Sequence, residues 1–484
     1  MDGNNIEFIF VQLTIAIKVL IRHTIMAYID KRSQDLANKP VGRLLWQFAV
    51  PSLIAMSANS IYNLCDSMFI GQGVGPLAIA GIAISFPFMS ISSAFGAMLG
   101  VGSAAQTSIA MGEDNKRRGL IILGNMLRMD VSIALCFTIF GLLFLDPILR
   151  LFGASDQTLP YAHDYMQIII AGNIITHVFL GLCDQLRATG NPAKSMRAHL
   201  IAVFVNLILD PIFIFGLDLG IRGAAFATVL GQICGLVYAI RFFFDKSNFS
   251  HFSREGLIFD FQIIKDIVAI GMSPFLVNVC GSVIVIVINH ALLIQGGMDG
   301  DICVGVYGIA SRLNSLLVMM VSGFSQGMQP IVGFNLGAKK IDRVYGVLKH
   351  AYVYATCIMT AGFLFVFFAP GTLASLFTSD DIMIERCIPA FRIMLCALPL
   401  VGGQIITTTF FQSIKKPKMS IFLSMTRQLI ILLPLLFILP PILGVNGVWC
   451  SIPISEAGSA FLAMFLLWRE LKSNGHISPL SAKE

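Results

Sequence analysis

Two acidic residues sit where acids are expensive. Asp66 lies in Asn63-Leu64-Cys65-Asp66, and Asp210 follows Asn206 by four residues and precedes Pro211, each inside a long apolar run. An ionised Asp at the centre of a bilayer costs roughly 2.5–3.5 kcal/mol on insertion scales, so such a residue marks a candidate site. Separations of three and four residues put Asn63 with Asp66, and Asn206 with Asp210, on one helix face. The proline frees a carbonyl of the preceding turn, which supplies another oxygen. Carboxylate, amide and carbonyl oxygens together suit a small hard cation or a proton. The plainer reading places both acids at the wet outer ends of their helices. Arg128 with Asp130, Asp164, Asp184, Arg312 and Glu385 fall near segment ends and read as interfacial anchors. Arg392, Arg427 and Glu456 are deeper, and read as a structural ion pair or the wall of a wet cavity. His177, His199 and His290 have no metal-ligand spacing, the ten cysteines include no C-x-x-C, and no metal beyond a possible Na⁺ is expected. No Ser/His/Asp or paired-carboxylate arrangement supports an enzyme, and no phosphate-binding G-x-x-x-x-G-K-[ST] loop supports an ATPase.

The elements that must position these groups follow from composition. Of 484 residues, 56% are hydrophobic and 12% charged, and the mean hydropathy is +0.80. Soluble chains carry about 25% charged residues. That excludes a soluble enzyme, a disordered chain and, despite a net charge of +6, a nucleic-acid-binding domain. Lipid demands internally satisfied backbone, so an all-α polytopic membrane protein is expected. Twelve apolar segments divide residues 44–469, each long enough to cross about 30 Å of hydrocarbon. Alternate connections carry 24 and 3 Lys or Arg, so the rich set is assigned to the cytoplasm together with both termini, in the cell (inner) membrane. Residues 1–40 form an N-terminal extension. They read as a surface-lying amphipathic helix or, preferentially, as residues upstream of a natural start at Met26.

Landmarks recur about 225 residues apart: Pro51 with Pro274, Gly112 with Gly337, Leu151-Phe152 with Leu376-Phe377, and Pro192 with Pro417. The expected fold is therefore twelve transmembrane helices in two six-helix bundles, 41–244 and 262–470. A cytoplasmic linker, 245–261, joins them, and a cytoplasmic tail, 471–484, follows. Six is even, so the pseudo-two-fold runs along the membrane normal, as for parallel repeats. At an offset of 223, Asp66 maps to Asn289, Asn206 to Leu429 and Asp210 to Leu433. Ion chemistry is expected in the first bundle alone.

These features resemble the multidrug and toxic compound extrusion (MATE) family, over about residues 40–470. The resemblance rests on the paired six-helix pattern, on the stretch Pro51-Ser52-Leu53…Tyr62-Asn63-Leu64-Cys65-Asp66, and on Gln329-Pro330-Ile331-Val332-Gly333-Phe334-Asn335-Leu336-Gly337-Ala338 before a basic pair. The DinF-like branch, with its bacterial multidrug-export relatives, is the most similar. The resemblance implies a first-bundle cation site of Asp66, Asn206, Asp210 and Thr228, with Asn63 as a secondary candidate. The acids that the NorM-like branch carries in its seventh and tenth helices have no match here beyond Glu385 at the mouth of segment 10.

The expected function is a secondary antiporter. It would export amphipathic, often cationic compounds in exchange for Na⁺ or H⁺ by alternating access, with no cofactor besides the coupling ion. Its expected partners are the bilayer and small organic substrates, not nucleic acid, and it is expected to be monomeric. The 22 Met and 38 Phe suit an adaptable pocket. The alternative is a flippase for a lipid-linked precursor, which would need more than two arginines facing the cleft. Pro51 removes a backbone hydrogen bond about 22 Å from Asp66 along one helix, and reads either as a hinge or as a passive packing kink.

Overall fold

The computed structural model describes residues 34–378 and 380–473. The expected start at Met26 and most of the expected tail lie outside them. Among the described residues there are helices and no strand. In the first half α1 is Val41–Gly73, α2 Pro76–Gly112, α3 Lys116–Leu143 and α6 Gly220–Phe244. Between them α4 comes in two pieces, Leu159–Ala171 and Asn173–Ala188, bent by 53°, and α5, Pro192–Pro211, runs on into a π-helical turn, Ile212–Gly216. In the second half α7 is Phe261–Gly296, α8 Gly300–Gly337, α9 Ile341–Phe368 and α12 Val445–Ser473. Here α10 is the bent one, Asp381–Met394 and Leu398–Ser413 at 52°, and α11, Pro417–Leu443, contains a π-helical stretch, Thr426–Leu432. Nine apolar runs pass as spans and the bent pairs raise this to eleven. One run, Phe261–Gly337, contains both α7 and α8, so there are twelve spans among the described residues.

The backbone repeats more faithfully than the sequence. Left-handed residues recur in register: Asp114 (φ 53°) with Lys339 (58°), Gly190 (79°) with Lys415 (57°), and Gly220 (53°) with Gly444 (59°). Asp114, Lys339, Gly190 and Lys415 sit just past helix ends, where a left-handed residue lets the last carbonyls find donors. Prolines at the first helical position start α5 and α11 alike. The breaks in α4 and α10 also correspond, so the bends belong to the repeat.

Glycines set how the halves meet. A Cβ on Gly112 would collide with the Phe334 carbonyl, and one on Gly337 with the Ile109 carbonyl. Each glycine and each carbonyl is the other's equivalent 225 residues away, so the contact is reciprocal, as a two-fold requires. The same closeness joins α2 to α7 (Gly102 at Ile267, Gly271 at Met98) and α1 to α8 (Gly327 at Ala49, Gly323 at Leu53). The basic motif after α8 holds the chain entering α1: Arg343 donates to the Leu36 and Lys39 carbonyls at 3.1 and 2.8 Å, and Asn335 to Leu36 at 3.3 Å.

The linker is clamped to α3. Arg128 donates to the Ile258 carbonyl at 3.1 Å and to that of Gly256, and Asn125 donates to Ile258 at 3.0 Å. Arg128 is thus a linker clamp and not a membrane anchor. At the start of the linker, Ser247 donates its hydroxyl (2.6 Å) and amide (3.0 Å) to Asp245, which holds that carboxyl below its ordinary range.

Candidate cation site and cavities

The first-bundle polar residues converge because glycines let three helices approach. Gly73 near the end of α1 leaves room for Ile214 and Phe215 of the π-helical turn, so α1 lies close along the end of α5. Gly231 of α6 abuts the Ala202 carbonyl and Asn206 of α5. Thr228 precedes Gly231 by one turn and so faces the same way. Asn206 Nδ2 donates to Asp210 Oδ1 at 3.2 Å and to Thr228 Oγ1 at 3.3 Å. Asp66 enters from α1, one turn beyond Tyr62, whose hydroxyl reaches Thr228.

All four expected residues are buried: Asp66 is 6% exposed, Asn206 2%, Asp210 0% and Thr228 8%. The alternative of wet helix ends therefore fails for both acids. Three oxygens in the cluster, Asp66 Oδ1, Asn206 Oδ1 and Asp210 Oδ2, have no hydrogen-bond donor. Buried polar atoms are normally satisfied. Three acceptors left open together, two of them on carboxylates, suit a bound cation or proton.

Sequence reasoning passed over Tyr62. Its hydroxyl lies 3.2 Å from Thr228 Oγ1, which ties α1 to α6. The signal was its spacing of four from Asp66, which puts both on one face. Asn63 is exposed and faces a cavity, apart from the hydrogen-bonded cluster. Pro51 lies within an uninterrupted α1, where the Ser52 hydroxyl bonds the Phe48 carbonyl at 3.2 Å and α8 packs closely on both sides through Gly323 and Gly327.

A cavity of about 300 Å³ opens inside the first bundle. Tyr62, Asn63, Asn206 and Thr228 line one end, with Phe88 and Met89 among its apolar walls. Asp66 and Asp210 are not part of that lining, and Asp210 is bonded to Asn206 from it. A second cavity, about 430 Å³, is lined by the second bundle together with Met56 of α1, and a third, about 250 Å³, is bordered by Val101 of α2 together with α7, α8, α10 and α11. At the positions equivalent to the acids the second bundle has a partly buried Asn289 and two leucines, Leu429 and Leu433.

Other expectations need correction. Asp130 is no interfacial anchor: it is fully buried against Gly181 of α4, with neither carboxylate oxygen bonded. Asp184 pairs with Arg187, and Asp164 with Arg222 at 2.7 Å. Arg312 and Arg392 are exposed, the latter 5.6 Å from the Phe367 ring centre. Of the three deep or cleft arginines considered, Arg427 alone borders the cavities described here. Arg427 and Glu456 form no ion pair within 4 Å; both stand in a cavity wall, the other reading of these residues.

The family model MatE matches twice, once in each half, over residues 51–212 and 269–438, more than half of the chain. The chain belongs to the MatE family. Members of this family are transporters, and this one is a multi-pass membrane protein. It is 27% identical to the multidrug export protein MepA of Staphylococcus haemolyticus (strain JCSC1435), over 91% of this chain and 96% of the relative. Identity to MepA of Staphylococcus aureus (strain MRSA252) is 25% over the same shares. Among solved structures, a MATE in its bent conformation superposes with a TM-score of 0.86 at 24% identity, covering 92% of this chain and 98% of that one. A MATE in the straight conformation gives 0.84 at 25% identity, covering 91% and 98%. An outward-facing multidrug resistance MATE transporter gives 0.84 at 24%, again covering 91% and 98%. This MATE fold is the two-bundle architecture derived above.

Proposed function

We propose that this MatE protein is a secondary antiporter that exports amphipathic organic compounds in exchange for Na⁺ or H⁺. The observation that carries the coupling is the trio of open, buried oxygens on Asp66, Asn206 and Asp210, beside a cavity that Tyr62, Asn206 and Thr228 line. An ion entering that cluster neutralises the carboxylates and draws α1, α5 and α6 together. Its affinity for two shapes of α1 must differ for this to drive anything, since a ligand that binds both equally shifts nothing. Pro51 is the proposed hinge. Its missing hydrogen bond weakens α1 where α8 grips it, so bending there changes the contact between the bundles. The cargo cavities have mixed polar and apolar walls, as amphipathic ligands require.

The distribution of basic residues supports an inner-membrane placement with both termini cytoplasmic. The domain boundaries proposed from the repeat are 41–244 and 262–470, with α12 running three residues further. A monomer suffices for this mechanism, because each half supplies the other's partner bundle. The flippase alternative finds no support: a pyrophosphate headgroup calls for several cations, and only Arg427 of the three arginines considered lines a cavity.

The test is transport in proteoliposomes with a dye cation as cargo and Na⁺ and H⁺ gradients imposed separately. One or both gradients should drive dye uphill. Movement that ignores both would sink the antiport reading.

A further inference from the structure

The second bundle contains a charge arrangement that ion coupling does not use. Arg427 and Glu456 both line the 430 Å³ cavity, a volume suited to a drug-sized ligand. Glu456 is 8% exposed with Oε2 unpartnered, and Asn314 Oδ1 in the same lining is also open. The two charges line the same cavity without meeting in an ion pair or hydrogen bond. Arg427 sits in the π-helical stretch of α11, and the Ser455 hydroxyl of α12 bonds its carbonyl at 2.9 Å. Such stretches often occur at functional sites. The rest of the wall is mixed: Ile284, Ile288, Leu395 and Ile452 stand beside the deformable Met56 and Met319, and Ser311, Ser315 and Gln428 add uncharged polar groups. At an offset of 223 Arg427 corresponds to Phe204, and at the offset of 224 that relates Gly220 to Gly444, Glu456 corresponds to the uncharged Gln232, so the charge pair is particular to this half.

Opposite charges held apart in a cavity whose other polar groups are uncharged are each under-compensated, and burial of a charge is costly unless it is paired. A ligand with an anion at one end and a cation at the other completes both. We propose that the second-bundle cavity binds amphipathic zwitterions, a carboxylate on Arg427 and an amine cation on Glu456, with the apolar body against the Ile and Met wall. This rests on the multidrug-export reading and names the class of cargo for one bundle.

The test is equilibrium binding by fluorescence anisotropy to the purified full-length transporter, with rhodamine B (a zwitterion) and its ethyl ester (the same cation without the carboxylate). The wild type should prefer the zwitterion. Arg427→Gln should weaken zwitterion binding by at least about tenfold, the scale of a lost charge-assisted hydrogen bond. It should tighten ester binding, since the dye cation no longer meets a positive charge in the cavity. Arg427→Lys should retain part of the zwitterion preference, and Glu456→Gln should weaken both dyes. Equal weakening of both dyes by Arg427→Gln would make the pair purely structural and overturn the proposal. So would a wild type that binds neither dye or shows no preference. The expected binding pattern with no gradient-driven dye movement would instead sink the export reading and leave the site standing.

Discussion

In the first bundle, Asp66, Asn206 and Asp210 are buried with three open oxygens and no cationic side chain among their hydrogen-bond partners. At the equivalent positions the second bundle has Asn289, Leu429 and Leu433, and its charges, Arg427 and Glu456, come from elsewhere on α11 and α12. The helices, the bent pairs and the left-handed caps are shared. The π-helical turn is not: it follows Pro211 in α5 but precedes Pro434 in α11. One backbone plan therefore supports two chemistries. An uncompensated acid cluster suits a small cation or proton, and a separated pair of opposite charges suits a larger ligand. Duplicated packing positions can stay fixed by helix approach while the buried polar groups diverge.

The sharpest way to break this comparison is to remove an acid. Asp66→Asn and Asp210→Asn should each reduce ion-coupled export to background at equal expression, measured as drug resistance in cells and as gradient-driven uptake in vesicles. Near-normal export in either variant would remove the cation site from the first bundle. Pro51→Ala should come next. It restores a backbone donor and stiffens α1 where α8 grips it, so export should slow while equilibrium Na⁺ or H⁺ binding persists. A normal transport rate would leave Pro51 a passive packing kink and require another route of coupling, such as direct competition between ion and cargo.

Tyr62→Phe deletes one hydrogen bond to Thr228 and leaves every carboxylate in place. Ion affinity should fall by about 2–12-fold, the range for about 0.5–1.5 kcal/mol, read by titrating the ion against tryptophan fluorescence. No change would mean that the hydroxyl merely fills space. The smallest effect is expected for Asn289→Ala, at the position equivalent to Asp66. Export should stay within about twofold of wild type, the scale of an ordinary surface-like substitution. A loss as large as that of Asp66→Asn would show that the functional asymmetry between the bundles is drawn wrongly.

Much of the fold was legible in the residues because a bilayer imposes one-dimensional rules. Each crossing needs a continuous apolar run, and each half repeats the same prolines and glycines in order. Twelve spans, two bundles and the axis relating them follow from that, and Asp66, Asn206 and Asp210 stand out as polar groups in apolar runs. Thr228 has no such signal, since a lone threonine is cheap in a helix; it entered through family resemblance, and the structure puts it in hydrogen-bond contact with Asn206. Tertiary structure alone decided what faces what. Tyr62 joins the cluster because Gly73 lets α1 lie against the end of α5 while Gly231 brings α6 onto α5. Asp130, three to four turns into α3, is enclosed because Gly181 on another helix leaves it space. Arg392 stacks on Phe367 at an exposed face, while Arg427, of the same type and apparent depth, enters a cavity. Hydropathy records how deep a residue lies along its own helix. Which way it points depends on rotation about the helix axis, and that is set by close approach to neighbours hundreds of residues away.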